Sequence, residues 1–282
     1  MSILVMKTPA DVRAFTAGLR RQGRTLALVP TMGFLHDGHL SLMREGGRRA
    51  DVVAASIFVN PTQFGPKEDL STYPRDLDGD LKRCASVGVA AVYTPEPATV
   101  YPAGYQTYVE VERVSQGLCG ARRPGHFRGV ATVVTKLLAL FRPEVALFGE
   151  KDWQQLQVIT RLNADLELGV DVVGMPTLRE VDGLAMSSRN SYLSADDRQR
   201  ALALSKGLFE AQRLARAGER DAKVLAQSIR AALAAVQARE DYVEVCDAAT
   251  LEPLSTLGDR PARALVAAFL GSTRLIDNLA LL

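Results

Sequence analysis

Two histidines three residues apart, His36 and His39, stand in the segment Thr31-Met32-Gly33-Phe34-Leu35-His36-Asp37-Gly38-His39, where a short apolar run gives way to a helical pattern. Such a turn suits an anion, because glycines let backbone N–H groups face it and a helix N-terminus favours negative charge. The same helix start disfavours imidazolium. Two neutral rings donating N–H bonds could therefore stabilise charge on a phosphate or its leaving oxygen. An ordinary capping or surface role fits one ring equally well. A metal reading also exists, but the zincin motif needs histidines at i and i+4 with an intervening Glu, and no third ligand is apparent.

Further segments offer polar groups. Asn60-Pro61-Thr62-Gln63-Phe64 supplies amides that can read hydroxyl and carboxylate oxygens, or forms a plain Asn-Pro turn. In Gly149-Glu150-Lys151-Asp152, Lys151 could reach a polyphosphate as a point charge or lie solvated; Asp152 would cap the next helix, with Gln155 one turn along. Arg123 and His126, among Gly120, Gly125 and Gly129, could form a cationic patch. Ser187-Ser188-Arg189 could close over phosphates or act as an exposed hinge. Asp76, Asp78 and Asp80 could serve Mg²⁺ through hard oxygen ligands or simply open a helix. No Walker A, G-x-G-x-x-G or G-x-S-x-G pattern occurs, so neither a standard nucleotide loop nor a serine nucleophile is supported.

The elements that must position these groups alternate. Thr8-Pro9-Ala10-Asp11 reads as a capping box opening a helix whose buried stripe is Val12, Phe15 and Leu19. Strands are predicted over 26–29, 52–59, 89–93, 108–111, 145–148 and 170–175. Helices are predicted over 40–50, up to about 87, over 129–141, and from 152. Apolar strands alternating with helices argue for an α/β fold with a parallel sheet covered on both faces. In such sheets ligands gather at the carboxyl ends of the strands, where Thr31 to His39, Asn60 to Gly65 and Gly149 to Asp152 all fall. Past Thr177 the pattern changes to two Ala-rich helices, 195–217 and 221–238, and strands at 242–246 and 264–269. The division is thus a larger domain over 1–177 and a smaller C-terminal α+β lid over 178–282.

Composition narrows the function classes. The 282 residues are 47% hydrophobic and carry a formal net charge of +2, which argues against a general nucleic-acid binder. Cys84, Cys119 and Cys246 are odd in number and widely spaced, so they read as reduced thiols rather than as a disulfide or zinc framework. No apolar run is long enough to span a bilayer, and the opening residues are too short for a signal segment. A cytoplasmic protein without membrane or nucleic-acid partners is the expectation.

The blocks Pro30 to Gly33, His36-Asp37-Gly38-His39, Phe58 to Phe64, Arg123 to Gly129, Gly149 to Asp152 and Met186 to Asn190 occur in the order found in the pantothenate synthetase (pantoate–β-alanine ligase) family, which this chain closely resembles over about residues 25–195. The resemblance implies a Rossmann-like nucleotidylyltransferase fold in which His36 to His39 resembles the HIGH signature. It implies ATP-dependent condensation of (R)-pantoate with β-alanine through a pantoyl adenylate, releasing AMP and pyrophosphate. By the same resemblance His36, His39, Lys151 and Arg189 carry the chemistry, with His39 usually called the proton donor. Met32, Gly33, Phe34, Leu35, Asp37, Gly38, Gly149, Glu150, Asp152, Leu178, Met186, Ser187 and Ser188 complete the ATP site. Gln63, Asn60 and Gln155 bind substrate, Asp80 is a metal ligand, and the enzyme is a homodimer that needs Mg²⁺. Lys67, where the family often has Asn, Gly79, in a stretch commonly acidic there, and Cys119 depart from that pattern. Rival readings are a related nucleotidylyltransferase and a non-catalytic nucleotide-binding protein.

Overall fold

The computed structural model describes residues 3–66 and 68–282; Met1, Ser2 and Lys67 lie outside the described residues. Strands β1 (Leu4–Met6), β2 (Leu26–Thr31), β3 (Val52–Ile57), β4 (Ala91–Tyr93), β5 (Val145–Gly149) and β6 (Asp171–Met175) form one sheet in the order β1-β4-β3-β2-β5-β6. Every pairing is parallel. Helices α1 (Pro9–Arg21), α2 (Asp37–Arg49), α3 (Leu77–Ser86), α4 (Pro97–Val100), α5 (Cys119–Arg122), α6 (His126–Phe141) and α7 (Trp153–Asp165) connect them. The strands are apolar throughout because both faces are covered. On β2, Leu26 and Leu28 join the core that holds Val12, Val130 and Leu156, whereas Ala27 and Val29 join Leu40, Met43 and Cys84 on the other face. The capping box of α1 forms as read: Thr8 Oγ1 accepts from Asp11 N at 3.2 Å and the Asp11 carboxylate accepts from Thr8 N at 2.8 Å.

The chain leaves β2 toward β3 on one side and β5 lies on the other. A crevice therefore opens beyond the carboxyl ends of β2 and β5, at Thr31 and Gly149. That reversal places the histidine turn opposite the Lys151 turn.

The C-terminal part holds α8 (Ala195–Arg200), α9 (Leu202–Arg216) and α10 (Ala222–Ala235), and an antiparallel sheet β7 (Arg239–Asp247), β8 (Ala262–Leu270) and β9 (Thr273–Ala280), in that order. Its two faces have different partners. Val243, Val245, Ala264, Val266 and Ala268 pack with Leu208 and Ile229 of α9 and α10. The alternate residues Tyr242, Cys246, Leu265 and Ala267 belong instead to the core shared with Phe127 and Leu156. Among the described residues, no helix is long and apolar enough to cross a membrane.

Several sequence expectations need correction. Residues 108–111 form no strand; Val109 N donates to Thr132 Oγ1 at 3.0 Å instead of to a ladder. Helix α6 begins at His126 rather than 129, since Gly125 adopts φ +81° and turns the chain straight into it. The long helix read over 195–217 is two, parted at Ala201. Strands β1 and β9 have no counterpart in the sequence reading. The first has only three residues, two of them exposed. The second carries Asp277 and Asn278 at buried positions, which hides its alternation.

Candidate active site

His36 is the N-cap of α2, its Nδ1 accepting from Gly38 N at 3.2 Å. His39 turns back so that its own Nδ1 accepts from His36 N at 3.3 Å. The two form a reciprocal capping box built from imidazoles. A ring nitrogen that accepts carries no proton, so each neutral ring bears its proton on Nε2. Burial, reinforced by the nearby Lys151 charge, lowers the His36 pKa to about 4. Burial, then His36 and Lys151, lower that of His39 to about 3. Both rings are therefore uncharged Nε2–H donors at neutral pH, with centroids 4.1 Å apart. Capping and donation, set against each other in the sequence, are two ends of the same ring.

The 3₁₀ turn Pro61–Gln63 follows β3 and sits under α6. Asn60 is 1% exposed, and its amide is fully used. Nδ2 donates to Gln63 Oε1 at 3.0 Å and to the Gly129 carbonyl at 3.1 Å. Oδ1 accepts from Thr62 Oγ1 at 2.9 Å and Tyr101 Oη at 2.8 Å. With its oxygen held by Asn60, Gln63 presents its NH₂ group, which lies 3.2 Å from Met32 Sδ. Asn60 thus orients Gln63, and Gln63 faces the cavity as a donor. A Cβ on Gly129 would stand 2.5 Å from the Thr62 carbonyl, so glycine alone lets α6 approach this turn.

The cationic patch read at Arg123 and His126 does not form. The Arg123 guanidinium is bidentate on Glu68, with Nε–Oε1 2.8 Å and Nη2–Oε2 2.6 Å. His126 Nε2 lies 3.2 Å from Arg123 Nη1, which can only donate, so Nδ1–H donates to the Gln63 carbonyl at 2.9 Å. Burial, then the Arg123 charge, lowers the His126 pKa to about 4. With Glu68 balancing the guanidinium charge, the two form a brace behind Gln63.

Across the crevice, Gly149, Lys151, Asp152 and Gln155 line the same cavity as Met32, His36, Gly38, His39, Asn60 and Gln63. Lys151 Nζ is 3.7 Å from the Asp152 carboxylate. Asp152 stands at the N-cap of α7 without a side-chain cap bond, leaving that carboxylate open to a ligand. Leu178, Met186, Ser187, Ser188 and Arg189 close the cavity from the segment after β6. Ser187 Oγ accepts from Arg189 N, and Ser188 Oγ donates to the Phe34 carbonyl at 3.1 Å. The Arg189 guanidinium lies on Asp69, with Nε–Oδ2 2.9 Å and Nη2–Oδ1 3.0 Å.

Other residues expected at the site hold it rather than line it. Phe34, Leu35 and Asp37 face an adjoining cavity beside Asp76 and Asp80. Gly33, at φ +85°, packs where a Cβ would meet Asp80 Oδ2 at 2.9 Å. The Glu150 carboxylate turns away to Arg263 at 3.1 Å. Asp76 caps α3 by accepting from Gly79 N at 3.0 Å. Asp80 accepts from Phe34 N at 2.8 Å and Leu35 N at 2.7 Å, so both oxygens clamp the histidine loop. Each Asp80 oxygen keeps a second lone pair beyond its backbone donor, and among the described residues no group of three metal-ligating side chains forms. Asp80 thus braces the histidine loop. Sequence reading also passed over Tyr101, Glu68 and Asp69. The two adjacent acids in a Gly-Pro loop were the only local signal.

Comparison with known proteins gives concordant results. The family model described as pantoate-beta-alanine ligase matches residues 4–280. A pantothenate synthetase of Myxococcus xanthus is 69% identical, over 100% of this chain and 97% of that protein. One from Anaeromyxobacter dehalogenans is 56% identical over 96% of each chain. The crystal structure of pantothenate synthetase from Thermus thermophilus superposes with a TM-score of 0.94 at 44% identity, covering 99% of each chain. That of the Francisella tularensis pantoate-beta-alanine ligase, complexed with beta-gamma ATP and beta-alanine, gives 0.81 at 31% identity, covering 99% of this chain and 97% of that one.

Proposed function

We infer the reaction from a chain that belongs to the pantoate-beta-alanine ligase family: it uses ATP to join the carboxylate of (R)-pantoate to the amine of β-alanine. In the first step a pantoate carboxylate oxygen attacks the α-phosphorus of ATP and the bond to the β-phosphate oxygen breaks, giving pantoyl adenylate and pyrophosphate. In the second the uncharged amine of β-alanine attacks the acyl carbon, a C–N bond forms, AMP leaves with the former carboxylate oxygen, and the nitrogen releases a proton. No enzyme nucleophile is required, which suits a cavity without a serine or cysteine paired to a base.

The observation that carries this reading is the reciprocal histidine cap. It leaves two uncharged Nε2–H donors beside the Lys151 ammonium and the Gln63 NH₂ group. Adenylation brings two anions together, and fixed donors in a partly desolvated crevice offset their repulsion without reorganising. Lys151, the histidines, Ser187, Ser188 and Arg189 take the phosphates, with Arg189 exchanging Asp69 for phosphate oxygens. Asp152 suits the ribose, and the Leu178 backbone suits adenine. Gln63 and Gln155 hold pantoate. Mg²⁺ enters as the ATP complex, held mainly by phosphate oxygens. Free, buried cysteines are in keeping with a reducing cytoplasm, and the enzyme acts as a homodimer.

Labelled pyrophosphate should exchange into ATP when pantoate is present and β-alanine is withheld. His39→Ala and Lys151→Ala should each slow that exchange about 10²–10³-fold, as expected for removing a transition-state donor. Absence of pantoate-dependent exchange in the unaltered enzyme would overturn the adenylate route.

A further inference from the structure

Strand β9 of the C-terminal sheet reaches the nucleotide side of the cavity through two successive buried residues. Asn278 Nδ2 donates to the Glu150 carbonyl at 2.9 Å and to the Lys151 carbonyl at 2.8 Å, in a turn 128 and 127 residues earlier in the chain. Its Oδ1 accepts from Arg263 Nη1 at 2.5 Å, which fixes which end of the amide faces the turn. Arg263 in turn pairs with Glu150 at 3.1 Å and lies over Trp153, its guanidinium carbon 3.4 Å from the ring centroid. Asp277 receives Arg179, with Nη1–Oδ2 2.6 Å and Nη2–Oδ1 3.0 Å. Arg179 belongs to the short hairpin that begins at Leu178 and leads into Met186 to Arg189, bridged at Arg179 and Ala185. The Asp277 side chain is 2% exposed, and Asn278 is 3% exposed.

These bonds have a common geometric effect. One amide gathers two adjacent carbonyls of the turn, so the Lys151 backbone cannot rotate without breaking both. One carboxylate holds the base of the hairpin by a bidentate pair, the most directional contact available to an arginine. Because both come from neighbouring positions of one strand, that strand sets the spacing between Lys151 and the segment bearing Leu178 and Ser187 to Arg189.

We propose that Asn278 and Asp277 are positioning residues of the ATP site, β9 acting as a bracket that holds the Lys151 turn and the Leu178–Met186 hairpin at the separation ATP requires. The proposal rests on the ATP reading of the cavity. It assigns a functional task to strand β9, which lies outside the blocks that carry the family resemblance.

The test uses the whole enzyme and Asn278→Asp, which keeps size and the Arg263 contact while turning two donors into an oxygen aimed at two carbonyls. ATP binding by calorimetry should weaken roughly 10- to 100-fold, the scale of a small misplacement, with the KM for pantoate in pyrophosphate exchange moving less than about twofold. In a Lys151→Ala background the same substitution should add less than about twofold, because residues acting through one another are not additive. Asn278→Ala carries the same readouts if the aspartate variant does not fold. Asp277→Asn tests the other arm, with the same split between ATP and pantoate expected. Unchanged ATP affinity, equal changes for ATP and pantoate, or a full further loss in the Lys151→Ala background would each remove the bracket. Failure of the unaltered enzyme to bind ATP would instead remove the functional reading on which it stands.

Discussion

The two sheets divide the labour differently. The parallel sheet ends in the groups that face the cavity: His36, His39, Gln63, Lys151 and Gln155 all follow its strands within a few residues. The antiparallel sheet offers the cavity none of its own side chains. It holds what the first sheet presents, through Asn278, Asp277 and Arg263. Contact residues come in compact sequence blocks because a turn after a strand delivers several at once. Holding residues come in ones and twos, from wherever the fold brings a strand alongside.

Acid should strike the first region harder than the second, since all three histidines lie in the first and all are held neutral. The sign follows from burial. The unfolded chain titrates near 6.5, while the native rings resist protonation until about 4, and about 3 for His39. Stability is then complete above pH 6.5 and falls as pH drops below it, by about 1.4 kcal/mol per unit for each histidine. From pH 7.5 to 5.5 the unfolding free energy in urea should fall by about 4 kcal/mol, and His126→Gln should reduce that dependence by about a third. A pH-independent midpoint across this range would show that the rings are not buried neutral.

A smaller effect separates the two regions by substrate. Arg263→Met keeps much of the apolar contact with Trp153 but loses the charge on Glu150 and the donor to Asn278. We expect about 1–3 kcal/mol of destabilisation, and a rise in the KM for ATP alone. Equal rises for both substrates would erase the distinction between holding and contacting. The mildest change should be Glu68→Gln, on the side proposed for pantoate. It weakens the bidentate pair with Arg123 by about 1 kcal/mol and should raise the KM for pantoate a few-fold, leaving that for ATP in place.

Sequence reading found most of the first region for a physical reason. Buried parallel strands are short apolar runs, and the turns after them concentrate glycine, histidine and amides. It found where His36 and His39 lie but could not say that one residue both caps and donates, because that depends on which ring nitrogen meets a backbone N–H. Asn60 read as a substrate ligand since its type suits that task; that its four hydrogen-bond positions are filled, one of them by Gln63, was not legible in the sequence. Arg123 and His126 read as a positive patch because Glu68, 55 residues away from Arg123 in the chain, could not be paired with it in advance. Strand β9 escaped because its interior polar residues are paired with segments about 100 residues or more earlier in the chain, and such pairing leaves no periodic trace.

The antiparallel sheet has one face in its own helices and the other in the core of the first region, on alternate residues of the same strands. Modularity is therefore denied to this chain. A graft of the C-terminal region from another protein would have to match two interiors at once. A chain stopped before β9 would not yield a smaller, lidless enzyme but one with an open seam and an untethered lysine.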